Sequence, residues 1–447
     1  MKTESENRLT GGNKMTSNPG QRRWRKAAAT TVILLLFLAG ANLAGEKNAD
    51  MKKVAGDNND FAFDMYGKLK SGKGNIFFSP FSISTALAMA YGGARGNTET
   101  EMGKAMCYTL GQEKLHPAMG LLIDDLNGRT VKEGRGRNRK DVRPFELVVA
   151  NALWGQKGFP FKKEFLALNK KSYEAGLTSL DFAADPEKAR TIINGWVEDK
   201  TNDKIKDLIP RKGVTEQTRL VLTNAIYFKS QWRSQFEVRN TKQADFYLSR
   251  NKKVKVQTMH QVEDFRYLSE KDFLAVELPY KGRQLAMLVF MPKKAGAMAK
   301  FEKSLTADNL RKWIAKMSSK NLRLALPKFT TISKFVLNDQ LWSLGMRKAF
   351  LSDADFSGMT DASKLFISKV IHKAFVDVDE KGTEAAAATA VIMEYGMPPK
   401  PVNVKINMPF VFLIRDNATG SILFMGRITD PTPVKEKDKG EGVGQIR

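Results

Sequence analysis

The 447-residue chain holds few side chains of the kinds that do covalent chemistry. Its one cysteine is Cys107, and its three histidines, His116, His260 and His372, lie far apart. A hydrolytic serine needs a histidine beside it that an acid orients, and no GxSxG turn or other nucleophile signature accompanies these histidines. Walker, dinucleotide-glycine and HExxH patterns are absent. The histidines match no metal-ligand spacing, and a single cysteine permits no intramolecular disulfide. Acidic pairs such as Asp124–Asp125 are ordinary on helix surfaces. The composition therefore argues against an enzyme, and no metal or cofactor is expected. What stands out instead is 380–400, EKGTEAAAATAVIMEYGMPPK. In a strand, alternate residues share a face. Thr383, Ala385, Ala387, Thr389, Val391 and Met393 would make one uncharged face; the other carries Glu384 and Glu394 at its ends, with Ala386, Ala388, Ala390 and Ile392 between. Gly382 supplies backbone freedom for a turn. The same run has high helix propensity. The chemistry it suggests is conformational: an exposed loop able to become a half-buried strand.

The flanks define how such a loop is held. Val370–Val378 is β-branched and aromatic and reads as a strand, and strands follow again over 402–430, where Phe410–Arg415 and Ser421–Ile428 make a hairpin. Earlier, helical spacing of Ala62, Met65, Tyr66 and Leu69 predicts a helix over Asp57–Lys70. In Asn75–Tyr91 a short strand breaks at Ser79–Pro80 before a buried helix. Thr98 and Glu101 have capping-box spacing. Strands are predicted over Leu147–Gln156, Leu220–Tyr227, Val254–Gln261, Phe273–Leu278, Gln284–Met291 and Asn321–Leu326. Helices are predicted over Lys162–Leu168, Pro186–Leu208 and Ala307–Met317. Asn417–Ala418–Thr419 fits a glycosylation sequon but reads as turn chemistry. Helices first, then strands without βαβ alternation, argue an α+β fold in one large domain.

The formal charge is +25, which favours polyanionic partners and says nothing about fold. Residues 1–41 contribute a net +5 of it. Residues 21–45 run from a basic block through an apolar stretch to small residues, a signal-peptide pattern with Ala39–Gly40–Ala41 as cleavage site. The alternative is an uncleaved anchor, because Ala27–Gly45 is about long enough to span a bilayer. Either way the body is expected outside the cytoplasm, secreted or periplasmic, with residues 1–45 as the export segment, 46–432 as the folded domain and 433–447 as a disordered tail. Between Asn127 and Pro144, Arg129, Lys132, Arg135, Arg137, Arg139, Lys140 and Arg143 stand among glycines with no apolar periodicity. They read as a flexible basic loop, either a solvated insertion or a polyanion site.

From about Asp57 to Pro431 the chain resembles a serpin, a member of the serine protease inhibitor superfamily. The resemblance rests on Asn75–Met102, Ala150–Phe159, Ile193–Ile209, Leu220–Trp232, Val376–Ala390 and Pro409–Gly426. It implies three β-sheets (A, B and C), about nine helices and an exposed reactive-centre loop. It also implies a suicide-substrate mechanism: a protease attacks the loop, forms an acyl-enzyme, and is dragged away as the hinge side inserts into sheet A, the case of stored strain that general accounts of strand addition use. By resemblance the hinge is Glu380, Gly382, Thr383, Glu384, Ala385, Ala386, Ala387, Ala388 and Thr389. Ser79, Ser82, Asn224 and His372 look like the shutter beneath the sheet, Trp232 like the tryptophan of the breach, and Glu380–Lys328 like the pair bridging hinge to neighbouring strand. As an exposed pair it would set geometry more than stability.

Family spacing implies Gly396–Met397 as the reactive bond, with Tyr395–Gly396 as the alternative. No Arg or Lys lies near it except Lys400, which precedes Pro401, so a trypsin-like target is not expected. Chymotrypsin-, elastase- or subtilisin-like proteases are the expected covalent partners, or a papain-like cysteine protease. Insertion of about a dozen residues, at ~3.3 Å each and about 1 kcal/mol net per hydrogen bond, would release on the order of ten kcal/mol. The other reading is a non-inhibitory serpin holding a polyanion or ligand. A monomer with no specific nucleic-acid partner is expected.

Overall fold

The computed structural model describes residues 45–134, 139–362, 365–383 and 400–433. Two compact units divide the chain, 1–49 and 50–447; of the first only residues 45–49 are described, as the start of a helix. That helix, α1 (45–69), buries Ala62, Met65, Tyr66 and Leu69, the residues whose spacing predicts it. Strand β1 (Ile76–Phe78) stops at Ser79, which caps α2 (Pro80–Tyr91) by accepting from the Ser82 N–H, with proline opening the helix. Every residue of α2 is buried, so its sequence carries no polar face. In α3 (Gly96–Ala105) the expected capping box does not form. Thr98 instead accepts from the Asp355 N–H, and Glu101 from the N–H groups of Arg347 and Lys348, so tertiary partners take both side chains.

Helix α4 (Gln112–Gly128) leads into a two-stranded ribbon, β2 (Val131–Glu133) with β3 (Lys140–Val142), where the sequence predicts only a loop. Val131 and Val142 face each other across it, a β-branched pair that the surrounding charges mask in the sequence. Then come β4 (Phe145–Gln156), α5 (Lys163–Tyr173), β5 (Leu177–Leu180), α6 (Pro186–Lys200) and β6 (Leu220–Gln231). Helix α6 ends short of the expected Leu208 because Asn202 and Asp203 take left-handed backbone, while Ile205 and Leu208 stay buried without it. The remainder is β7 (Lys242–Ser249), β8 (Lys252–Ser269), β9 (Phe273–Pro279), β10 (Leu285–Pro292), α7 (Met298–Glu302), α8 (Ala307–Lys316), β11 (Ser318–Pro327), β12 (Phe329–Val336) and α9 (Asn338–Ser343). The last strands are β13 (Ile371–Val378), β14 (Gly382–Thr383), β15 (Val402–Lys405), β16 (Phe410–Asp416) and β17 (Ile422–Ile428).

These strands form a six-stranded sheet, β12-β13-β14-β6-β4-β5, and a nine-stranded one, β1-β17-β16-β10-β9-β8-β11-β15 with β7 also on β8. The long β8 joins two halves of the latter: its first residues pair β7 and its last pair β9. The six-stranded sheet and these two halves are the three sheets expected of the α+β fold. Between them lies an aromatic core in which Phe77 stacks on Phe412 and Phe424. At the β16–β17 turn the Asp416 carboxylate accepts from Ala418 and Thr419 N–H, and Asn417 donates to the Arg283 carbonyl at 2.9 Å. Among the described residues no helix is long and apolar enough to cross a membrane.

Candidate functional site

The described part of the hinge is folded into the six-stranded sheet. After β13 the chain turns at Asp379–Lys381 and runs back as β14, with Val378 opposite Thr383. On its other side β14 pairs with β6, Gly382 opposite Gln231 and Thr383 opposite Ser230. The turn is self-supporting, since Asp379 Oδ1 accepts from the Lys381 and Gly382 N–H groups. It is also docked. The carbonyls of Asp379, Glu380 and Lys381 accept from Trp232 Nε1, Phe236 N–H and Trp232 N–H, at 2.9, 2.8 and 2.9 Å. Only glycine fits at 382: a Cβ there would lie 2.1 Å from the Ser230 carbonyl oxygen. Thr383 is 1% exposed, and its hydroxyl is hydrogen-bonded at 2.8 Å to that of Tyr280, whose ring stacks on Trp232.

Glu380 meets Lys328 at 2.7 Å and also accepts from Thr241 Oγ1 at 2.7 Å. The expectation of an exposed pair needs correction, because Glu380 is only 5% exposed. Burial pushes its carboxyl up, but the bonds from Lys328 and Thr241 outweigh that and hold it below the usual glutamate range. A glutamate so enclosed is costly to leave unpaired.

Below the hinge, β6 and β13 pair directly with each other, Lys373 opposite Ala225 and Ala374 opposite Ile226. This two-residue clasp is underlain by Ser79, Ser82, Asn224 and His372, all buried. His372 Nε2 accepts from the Ser79 N–H at 3.0 Å, so the ring proton sits on Nδ1 and is donated to Asn224 Oδ1 at 2.5 Å. Asn224 Nδ2 donates to the Ser82 carbonyl and hydroxyl and to Asn151 Oδ1. Ser79 Oγ donates to the Leu423 carbonyl at 2.7 Å and accepts from the Ser82 N–H. Burial pushes the His372 pKa down to about 3, which keeps the imidazole neutral. Apart from the Ser82 N–H, which bonds the cap of its own helix, these bonds run between elements, so the cluster ties α2, β4, β6, β13 and β17 together.

The basic stretch divides. Arg129 is not a free cation: its guanidinium pairs with Asp125 and with the buried Asp416. It thus braces the β16–β17 turn and is withdrawn from the polyanion candidates. Lys132, Arg139, Lys140 and Arg143 are exposed. Arg135 and Arg137 lie outside the described residues. So do Glu384–Thr389 and the candidate reactive bonds Gly396–Met397 and Tyr395–Gly396. Sequence reasoning missed Asp379, Tyr280, Thr241 and Asn151. Their types are common and their partners are distant in sequence, so only the three-dimensional contacts single them out.

A Serpin (serine protease inhibitor) family model matches residues 56–431. The chain belongs to the serpin family. This serpin is 40% identical over 388 residues to an uncharacterised serpin-like protein of Thermococcus kodakarensis, covering 86% of this chain and 87% of that one. It is 40% identical to the leukocyte elastase inhibitor of Bos taurus, covering 85% of this chain and all of the relative. Human thyroxine-binding globulin, solved in complex with thyroxine, superposes with a TM-score of 0.76 at 31% identity, over 86% of this chain and all of that one. Its fold is the single-domain serpin fold, and the family is one of protease-binding inhibitors that are not enzymes themselves.

Proposed function

We propose that this serpin inhibits serine-type endopeptidases as a suicide substrate, with loop cleavage, acyl-enzyme formation and entry of the loop as a new strand between β13 and β6. The observation that carries this is β14, two hinge residues already seated in that slot. Extended along β6 in the same register, Ala387 and Ala388 would lie opposite Ile226 and Ala225, where the clasp now closes, and Val391–Met393 opposite Leu222–Leu220. Small residues would then fall at the tight place and larger ones beyond it. Relatives named as elastase inhibitors support an elastase-class target, consistent with Gly396–Met397 or Tyr395–Gly396 as the bond; a papain-like target is the cross-class variant. The chain acts as an exported protein in this reading. Incubation with chymotrypsin, elastase, subtilisin, trypsin and papain should give an SDS-resistant complex with at least one of the first three and none with trypsin. Clean cleavage by every protease with no complex would remove the proposal.

The second reading is a non-inhibitory serpin that holds a ligand or polyanion. The solved structures lean to it, because two of them are thyroxine-binding globulin in complex with thyroxine. The comparisons thus favour the second reading, whereas the hinge geometry favours the first. For a polyanion, the exposed Lys132, Arg139, Lys140 and Arg143 are the contact residues. Changing these four to glutamine should lower the salt needed to elute the protein from heparin; unchanged elution dismisses that site.

A further inference from the structure

Below the clasp the six-stranded sheet opens instead of closing. A cavity of about 300 Å³ lies there, between the start of β6 at Leu220–Leu222 and the chain entering β13 at Leu365–Ile371. Its size is at the small end of pockets that take small molecules. The walls are more apolar than polar, with Leu208, Val214, Phe356, Met359 and Leu365 among them, and Phe366 beside them is left 51% exposed. A large apolar ring half in water next to an apolar hollow is surface that a ligand would cover. The charges are one-sided. Lys212, Arg219 and Lys369 line the cavity and no aspartate or glutamate does. Lys212 and Lys369 are exposed, and neither ammonium meets a carboxylate among the described residues. Arg219 uses one nitrogen on the carbonyls of Glu216 and Thr218.

We propose that this cavity binds an amphipathic carboxylate of the medium-chain fatty acid class, its chain in the apolar hollow and its head group among Lys212, Arg219 and Lys369. A carboxylate at the mouth would meet three cations that a neutral hydrophobe would not, and a polyanion would leave the hollow unfilled. Because Leu220–Leu222 is also the lower edge of the slot, a bound acid would stand in the path of an inserting strand. That consequence rests on the inhibitory reading, while binding itself does not, so a direct binding measurement separates failure of one from failure of the other.

The test is calorimetric titration of the full chain with decanoate and with decanol. One saturable site for decanoate is expected, with decanol binding at least tenfold more weakly. Joint substitution Lys212→Gln, Arg219→Gln and Lys369→Gln should weaken decanoate tenfold or more and leave decanol unchanged, whereas Leu365→Trp, which fills the hollow, should weaken both. Should Leu365→Trp fail to fold, the triple variant decides, because two of its three side chains are exposed and the third half-buried. Absence of saturable binding, equal affinity for acid and alcohol, or no effect of the triple variant would overturn the proposal.

Discussion

His372 shows how much one buried ring can control. It must be neutral to accept the Ser79 N–H, and burial holds its pKa near 3; burial likewise pushes His116 down to about 4. In the unfolded chain both titrate near 6.5, so on acidification the unfolded chain takes up protons before the native one. Their contribution is complete above about pH 6.5. It falls by about 1.4 kcal/mol per pH unit for each histidine as the pH drops toward the folded values. Urea midpoints measured from pH 7 to 4.5 should decline accordingly, and His372→Gln should remove about half of the histidine part of the slope. At this scale the sequence was partly legible. Ser79, Ser82, Asn224 and His372 fall in motifs that mark them, and the structure brings them within hydrogen-bonding distance. The enclosure of Glu380 and the capture of Arg129 by Asp416 were not legible, since both depend on partners from elsewhere in the chain.

Among the elements, β14 matters most and is the shortest. It is held by two ladder partners, three turn carbonyls bonded to Trp232 and Phe236, and the Thr383–Tyr280 bond. Gly382→Val places a side chain against the Ser230 carbonyl, which is backbone and cannot move aside. The hinge should leave the slot, and the emission of Trp232, stacked on Tyr280, should shift to longer wavelength as water reaches it. Unchanged emission would show that β14 tolerates the side chain. Strands such as β6 and β13 were legible because the apolar start of the first and the β-branched and aromatic residues of the second mark a strand locally. The end of α6, the cap of α3 and the β2–β3 ribbon were not. In each case a left-handed residue, a tertiary hydrogen bond or one valine pair overrides the local pattern.

Across the whole molecule, the six-stranded sheet is closed by different means along its length. The hinge occupies its upper end, a two-residue clasp holds the middle, and a cavity takes the place of pairing at the lower end. On the proposed inhibitory reading, such a sheet gains more from a strand that fills its length than from the two-residue contact it has. The fold class was legible from element order and the family from long motifs. The cavity was not, because its walls come from four separate stretches between Ala90 and Ile371. The measurement closest to the central claim is the melting temperature before and after a single cut in the loop between 390 and 400. Insertion worth on the order of ten kcal/mol should raise it by on the order of 10 °C for a domain of this size. An unchanged melting temperature in the cleaved, still associated protein would contradict the account.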